Sequence, residues 1–122
     1  MASFLSIPVC RTIKDGRGTG TLTAAIGTRW PTADALGQVV FFWHNTTFIG
    51  QSANYETPAV RKLTSPAAGT FVITYVRYKS TDPACCPTLK PLKVTYGWSG
   101  HILISNGVPP VMGKPVKVKY KP

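Results

Sequence analysis

Gly69–Gly100 reads GTFVITYVRYKSTDPACCPTLKPLKVTYGWSG. Its second half alternates with the period of two of a half-buried strand: Leu92, Val94, Tyr96 and Trp98 point one way, Lys93, Thr95 and Gly97 the other. Its first half, Phe71 to Tyr78, is apolar on both faces over most of its length, which suits a central strand. Between them, Asp82-Pro83-Ala84-Cys85-Cys86-Pro87 is a turn fixed by two prolines. The stretch predicts two neighbouring strands joined by a tight, cysteine-bearing connection, with the rest of the chain packed against the pair. It supplies no chemistry, and no other stretch does.

Working outward toward the C-terminus, His101-Ile102-Leu103-Ile104-Ser105 is expected to pair back through Ser99-Gly100, and Asn106 to Gly113, with Pro109-Pro110, ends the ladder. The last run alternates: Val116, Val118 and Tyr120 inward, Lys117, Lys119 and Lys121 outward. That is the pattern of an edge strand, where lysines block edge-to-edge pairing. Lys114, Lys117, Lys119 and Lys121 are also the densest basic cluster, and so the candidate contact for an anionic partner.

Toward the N-terminus, Ser65 to Gly69 reads as a turn, Ala59 to Leu63 as a short strand and Gln51 to Pro58 as a polar loop. Gln38 to Trp43 is the most apolar run, and with Thr47 to Gly50 it makes a hairpin around His44-Asn45-Thr46. Asn45-Thr46-Thr47, formally a glycosylation acceptor, reads as the turn. Thr28 to Gly37 is a loop, with one helical turn expected at Thr32 to Leu36. Thr21 to Ile26 is a strand, and Met1 to Val9 an arm or first edge strand. Asp15-Gly16-Arg17-Gly18-Thr19-Gly20 fits neither a phosphate loop nor a dinucleotide fingerprint, so its glycines are turn residues.

The chain of 122 residues is expected to be a single β-rich domain, residues 1–122, with an N-terminal arm at 1–9 and a C-terminal basic edge strand at 114–122. Eleven glycines, eleven prolines and no sustained helical periodicity predict an all-β fold: an antiparallel meander or small β-sandwich of about seven or eight strands. Fourteen Lys and Arg stand against four Asp and Glu, a net charge of +10, which invites anionic partners. The basic residues are scattered, which argues against specific nucleic-acid binding. No run is long enough to span a membrane as a helix. Met1 to Pro8 lacks the basic and apolar regions of a secretory signal, so the expectation is a chain assembled in the cytoplasm or a mature domain without its leader.

Cys10, Cys85 and Cys86 are an odd set. Vicinal cysteines rarely bridge each other, because adjacent side chains diverge on an extended chain. The expected bridge joins Cys10 to Cys85 or Cys86 and closes a loop of about 75 residues, worth on the order of 4 kcal/mol in the chain-entropy model. It would imply an oxidising compartment. For catalysis the supply is thin. Asp15, Asp34, Glu56 and Asp82 all fall in presumed turns or loops, and a Cys–His nucleophile would need Cys85 or Cys86 beside His44 or His101. The cysteines lack the spacing of a zinc site. The expectation is a protein that is not an enzyme, with no catalytic, metal or cofactor site and no cofactor.

Two segments resemble the LppP/LprE-type lipoproteins of actinobacteria. Gln38 to Gly50, QVVFFWHNTTFIG, is similar to that family's Val-x-Phe-Phe-His stretch. Val76 to Gly100 is similar to its strand, Asp-Pro-x-Cys-Cys-Pro turn and Val-x-Tyr-x-Trp-x-Gly strand, through Tyr78, Asp82, Pro83, Cys85, Cys86, Pro87, Val94, Tyr96, Trp98 and Gly100. The resemblance covers about a third of the chain. It implies an exported, membrane-anchored envelope protein and carries over no catalytic residues. The reading is therefore a non-catalytic, extracytoplasmic, envelope-associated binding or structural module. Its partner would be a protein or an anionic envelope surface, and it could form a homo-oligomer. The alternative is a virion structural protein exposed on a phage particle.

Overall fold

The computed structural model describes residues 4–29, 37–79, 81–82 and 87–110, with side chains described from Cys10 onward and, in the second strand, as far as Gly27. Eight strands follow in order: β1 (Phe4–Lys14), β2 (Thr21–Arg29), β3 (Gln38–His44), β4 (Thr47–Gln51), β5 (Val60–Ala67), β6 (Thr70–Arg77), β7 (Leu89–Trp98) and β8 (Leu103–Ser105). They form two four-stranded antiparallel meanders, β1-β2-β3-β4 and β5-β6-β7-β8, each in chain order. Among the described residues there is no helix. The fold is the all-β one expected. The one helical turn expected at Thr32 to Leu36 and the edge strand expected at 114–122 lie outside the described residues.

The alternation of Leu92 to Trp98 has the physical consequence anticipated for it. Val94, Tyr96 and Trp98 are buried, and Tyr96 and Val94 stand opposite Phe71 and Ile73 of β6. These side chains meet Leu22, Ala24 and Ile26 of β2 and Val40 and Phe42 of β3 in one core cluster. Phe42 is central: its ring lies 5.2 Å from Tyr96 and 6.0 Å from Phe71, centroid to centroid. The two meanders thus face each other across a shared core, as in a β-sandwich. β6 is the central strand expected, paired with β5 on one edge and β7 on the other, with Phe71, Ile73 and Tyr75 turned into the core. β3 is unbroken in its apolarity. Val40 and Phe42 enter the core, while Val39 and Phe41 join Trp43 and Phe48 in a second cluster.

Several segments depart from the expectations. The N-terminal arm or edge strand expected at 1–9 is instead a strand that runs on to Lys14, and β2 continues to Arg29, into the loop expected from Thr28. The Ser65–Gly69 turn shrinks to Ala68-Gly69, because β5 continues through Ala67. β8 begins at Leu103, and Ser99 to Ile102 forms its turn, where the Ser99 hydroxyl accepts from the N–H groups of His101 (3.2 Å) and Ile102 (3.0 Å). The polar loop after β4 is lacing between the sheets. Ser52, Glu56 and Thr57 are buried. Gln38 and Thr57 exchange backbone hydrogen bonds of 3.0 and 2.9 Å, and Gln38 Oε1 accepts the Val60 N–H at 2.7 Å. Ser52 Oγ accepts the Val40 N–H at 3.0 Å, while the Ser52 carbonyl accepts from Tyr96 across the core at 3.0 Å.

Candidate functional site

At one rim of the sandwich the connections of both sheets converge: Asp15–Gly20 between β1 and β2, Asn45-Thr46 between β3 and β4, Ala68-Gly69 between β5 and β6, and the end of β7 at Trp98. The Gly69 peptide ties the sheets together. Its N–H donates to the Lys14 carbonyl at 2.7 Å, and its carbonyl accepts from the Trp98 N–H at 2.9 Å. Gly69 has φ +73°, and a Cβ there would strike the Asp15 backbone carbonyl. Glycine satisfies both constraints.

Above this joint, Asp15 and His44 pair. Asp15 Oδ2 lies 2.7 Å from His44 Nε2, and Asp15 Oδ1 accepts the Arg17 N–H at 2.7 Å. The Asp15 residue is only 4% exposed. The Arg17 N–H first, and then the His44 contact, hold its carboxyl below the usual carboxylate value. The imidazole stacks on the Trp98 indole, centroids 4.7 Å apart and planes 19° apart. Gly20 makes room for the pair, since a Cβ there would strike Asp15 Oδ2 and lie 2.9 Å from His44 Nε2. Asn45, at φ +53°, closes the neighbouring turn. Its N–H donates to the Thr21 carbonyl at 2.9 Å, and its Oδ1 accepts the Thr21 N–H at 3.0 Å.

Chemically, this is a carboxylate that orients an imidazole, two of the three parts of a nucleophilic relay. Among the described residues the second ring nitrogen of His44 has no hydrogen-bond partner, and no hydroxyl or thiol is placed as a nucleophile. The Cys–His pairing weighed for Cys85 or Cys86 finds no support among the described residues. The chain enters and leaves the double-cysteine turn at the Arg77–Leu89 end of β6 and β7, seven residues along β6 from Thr70 at the Gly69 rim, or about 23 Å at ~3.3 Å per residue. At that far end the Asp82 carboxylate accepts from the Lys79 N–H (2.8 Å), the Thr88 N–H (2.9 Å) and the Thr88 hydroxyl (2.9 Å), and these bonds keep its pKa low.

The expected disulfide finds no support among the described residues. Cys10 is an exposed free thiol on β1, opposite Ala25, and makes no bridge. The Gly69–Lys14 bond sets the start of β6 at the Lys14 end of β1, whereas the double-cysteine turn leaves from the opposite end of β6. Cys85 and Cys86 themselves, and Lys114, Lys117, Lys119 and Lys121, lie outside the described residues. His101 is exposed in the turn before β8. The Asp15–His44 pair was not foreseen. Its members are 29 residues apart, and only the crowding of Gly20 beside them marks the site.

Among the described residues no helix is long and apolar enough to cross a membrane. Neither a curated protein nor a solved structure matches the chain. A protein-family model does: it spans residues 17–101, roughly two thirds of the chain, taking in His44, Gly69 and Trp98 and leaving Asp15 outside. The model is that of the LppP/LprE lipoproteins, and the chain belongs to that family of envelope-associated proteins.

Proposed function

We propose that the protein is a non-catalytic, extracytoplasmic binding module of the cell envelope. The observation that carries this reading is the use made of the rim groups. Asp15 is covered and held by His44 and the Arg17 N–H, the His44 ring is stacked on Trp98, and Gly69 joins both sheets directly beneath. An acid and an imidazole locked this way act as a clasp between hairpin ends. Membership of a lipoprotein family supports the envelope location. The virion alternative has no comparable support.

The test separates binding from turnover. Purified wild type and His44→Gln are sedimented with isolated envelopes and assayed against ester, peptide and glycoside substrates. The expected result is equal co-sedimentation of the two folded proteins and no turnover by either. Hydrolysis by the wild type that disappears in a folded His44→Gln protein would overturn the reading.

A further inference from the structure

We propose that the outward face of the β5–β8 sheet docks on the anionic headgroups of a lipid bilayer. This rests on the envelope reading above and names the partner. On β6 and β7 the paired residues Ile73 and Val94 face the core, so the next pair, Thr74 and Lys93, faces outward. Lys62 of β5 pairs with Thr74 from the other side. Lys62, Thr74 and Lys93 therefore form one row across three strands, with the two exposed lysines flanking a buried Thr74. The two lysine Cα atoms are about 10 Å apart at ~4.8 Å per strand step. Both lysines are exposed, as are Arg61 and Lys90 beside them.

No carboxylate among the described residues is paired with this row. Among the described residues, acid and base approach within ion-pair distance at Asp15–His44, on the rim. Asp82, the described carboxylate beyond the Arg77–Leu89 end of the sheet, is held by Lys79 and Thr88 backbone N–H groups and the Thr88 hydroxyl. Among the described residues the cationic face thus has no acidic partner, and it complements an anionic one.

Aliphatic side chains choose between kinds of anion. Ile104 of β8 pairs with Gly97, on the same outward face, and is 53% exposed. Ile102, just before β8, is 62% exposed, and Leu89, at the start of β7, is 36% exposed. Between Ile104 and the lysines the face carries Val72 and Thr95, paired with each other, and no described position on it is aromatic. Single-stranded nucleic acids are held by stacking platforms, and discrete phosphates by Arg forks. A row of lysine point charges bordered by exposed isoleucines fits a diffuse headgroup layer, into which the apolar tips reach.

The test uses the purified chain and sedimentation with two vesicle types, equimolar phosphatidylglycerol–phosphatidylcholine and phosphatidylcholine alone. Binding is expected to the anionic vesicles only, and to fall as salt rises. Lys62→Glu/Lys93→Glu is expected to weaken it on the order of a hundredfold or more, given about fivefold per cation near a charged bilayer and a reversal of sign at both positions. Arg11→Glu/Lys14→Glu makes the same charge change on β1, in the other sheet, about 10 Å or more behind the docked face, where screening limits the loss to about threefold. Lys62→Gln/Lys93→Gln, which removes charge without reversing it, should fall between. Equal losses for the two Glu pairs would reduce the effect to net charge and overturn the proposal. So would binding to soluble polyphosphate without binding to vesicles. If vesicles are ignored while isolated envelopes still retain the protein, this proposal falls and the envelope reading stands.

Discussion

The molecule treats charge in opposite ways at two places. At the Gly69 rim, Asp15 and His44 satisfy each other, Trp98 covers the imidazole, and backbone bonds from both sheets close beneath them. On the outward face of β5–β8, Lys62 and Lys93 stand in one row with no described acid paired to them. The residue types that suggest catalysis are the ones the fold keeps for itself. The commonplace lysines are the ones left for something else. The contrast predicts that changes at the rim act on stability and changes on the face act on binding.

The largest expected effect comes from Gly69→Ala. A left-handed φ costs a non-glycine residue about 1–2 kcal/mol. The added Cβ meets the Asp15 backbone carbonyl, which is not the end of a flexible side chain and cannot move aside at little cost. The bond to Lys14 that joins the sheets is then weakened as well. A total loss of about 3 kcal/mol is expected in urea unfolding. A loss below about 1 kcal/mol would mean the rim is not the joint between the sheets.

A smaller effect is expected inside the core, where Tyr75 and Tyr96 share a hydrogen bond of 3.0 Å and Tyr96 also donates to the Ser52 carbonyl. Tyr96→Phe strands both partners and should cost about 2 kcal/mol; Tyr75→Phe leaves the Ser52 bond intact and should cost about 1 kcal/mol. Burial raises both hydroxyl pKa values, that of Tyr75 to about 12. The unfolded chain ionises first, so this contribution is complete below pH 10 and is lost as pH rises toward 12. Absorbance titration should show at least these two tyrosines silent until the alkaline unfolding transition. Ionisation of all five near pH 10 in folded protein would contradict the packing.

Asp15 tests the rim from the acid side. Its folded pKa is depressed below 3.8, so its contribution is complete above that value and is lost as pH falls through the folded one. Wild-type stability should therefore fall with pH below about 4 more steeply than that of Asp15→Asn. Parallel curves would detach the carboxylate from the clasp.

The architecture was legible because alternation has a direct physical meaning. The inward set Val94, Tyr96 and Trp98 and the central place of β6 could be assigned without coordinates. The double-cysteine turn and the apolar Gln38–Trp43 run were enough to suggest the family. The rim was not legible, because its contacts depend on four connections from two sheets meeting in space, and no local spacing encodes that. The disulfide expectation gained no support, since counting cysteines gives no information about which strand ends adjoin. The basic row was hidden differently: Lys62 and Lys93 are 31 residues apart in sequence, and only the β5–β6–β7 register aligns them. The dense tail at Lys114 to Lys121, by contrast, is conspicuous as a string.

The smallest effect is the sharpest test of the contrast. Lys62→Gln/Lys93→Gln removes two charges from the face and breaks no described hydrogen bond or ion pair. Exposed substitutions of this kind change stability by about 0.5 kcal/mol or less. The sign should be favourable or zero, because the two lysines flank one strand as like charges in a chain carrying a net +10. Urea midpoints at low salt should rise slightly or stay level, with any rise shrinking at high salt as screening removes the repulsion. The same protein should bind anionic vesicles more weakly than the wild type. A clear loss of stability at unchanged binding would invert the contrast, making Lys62 and Lys93 part of the fold's own support rather than a surface held for a partner.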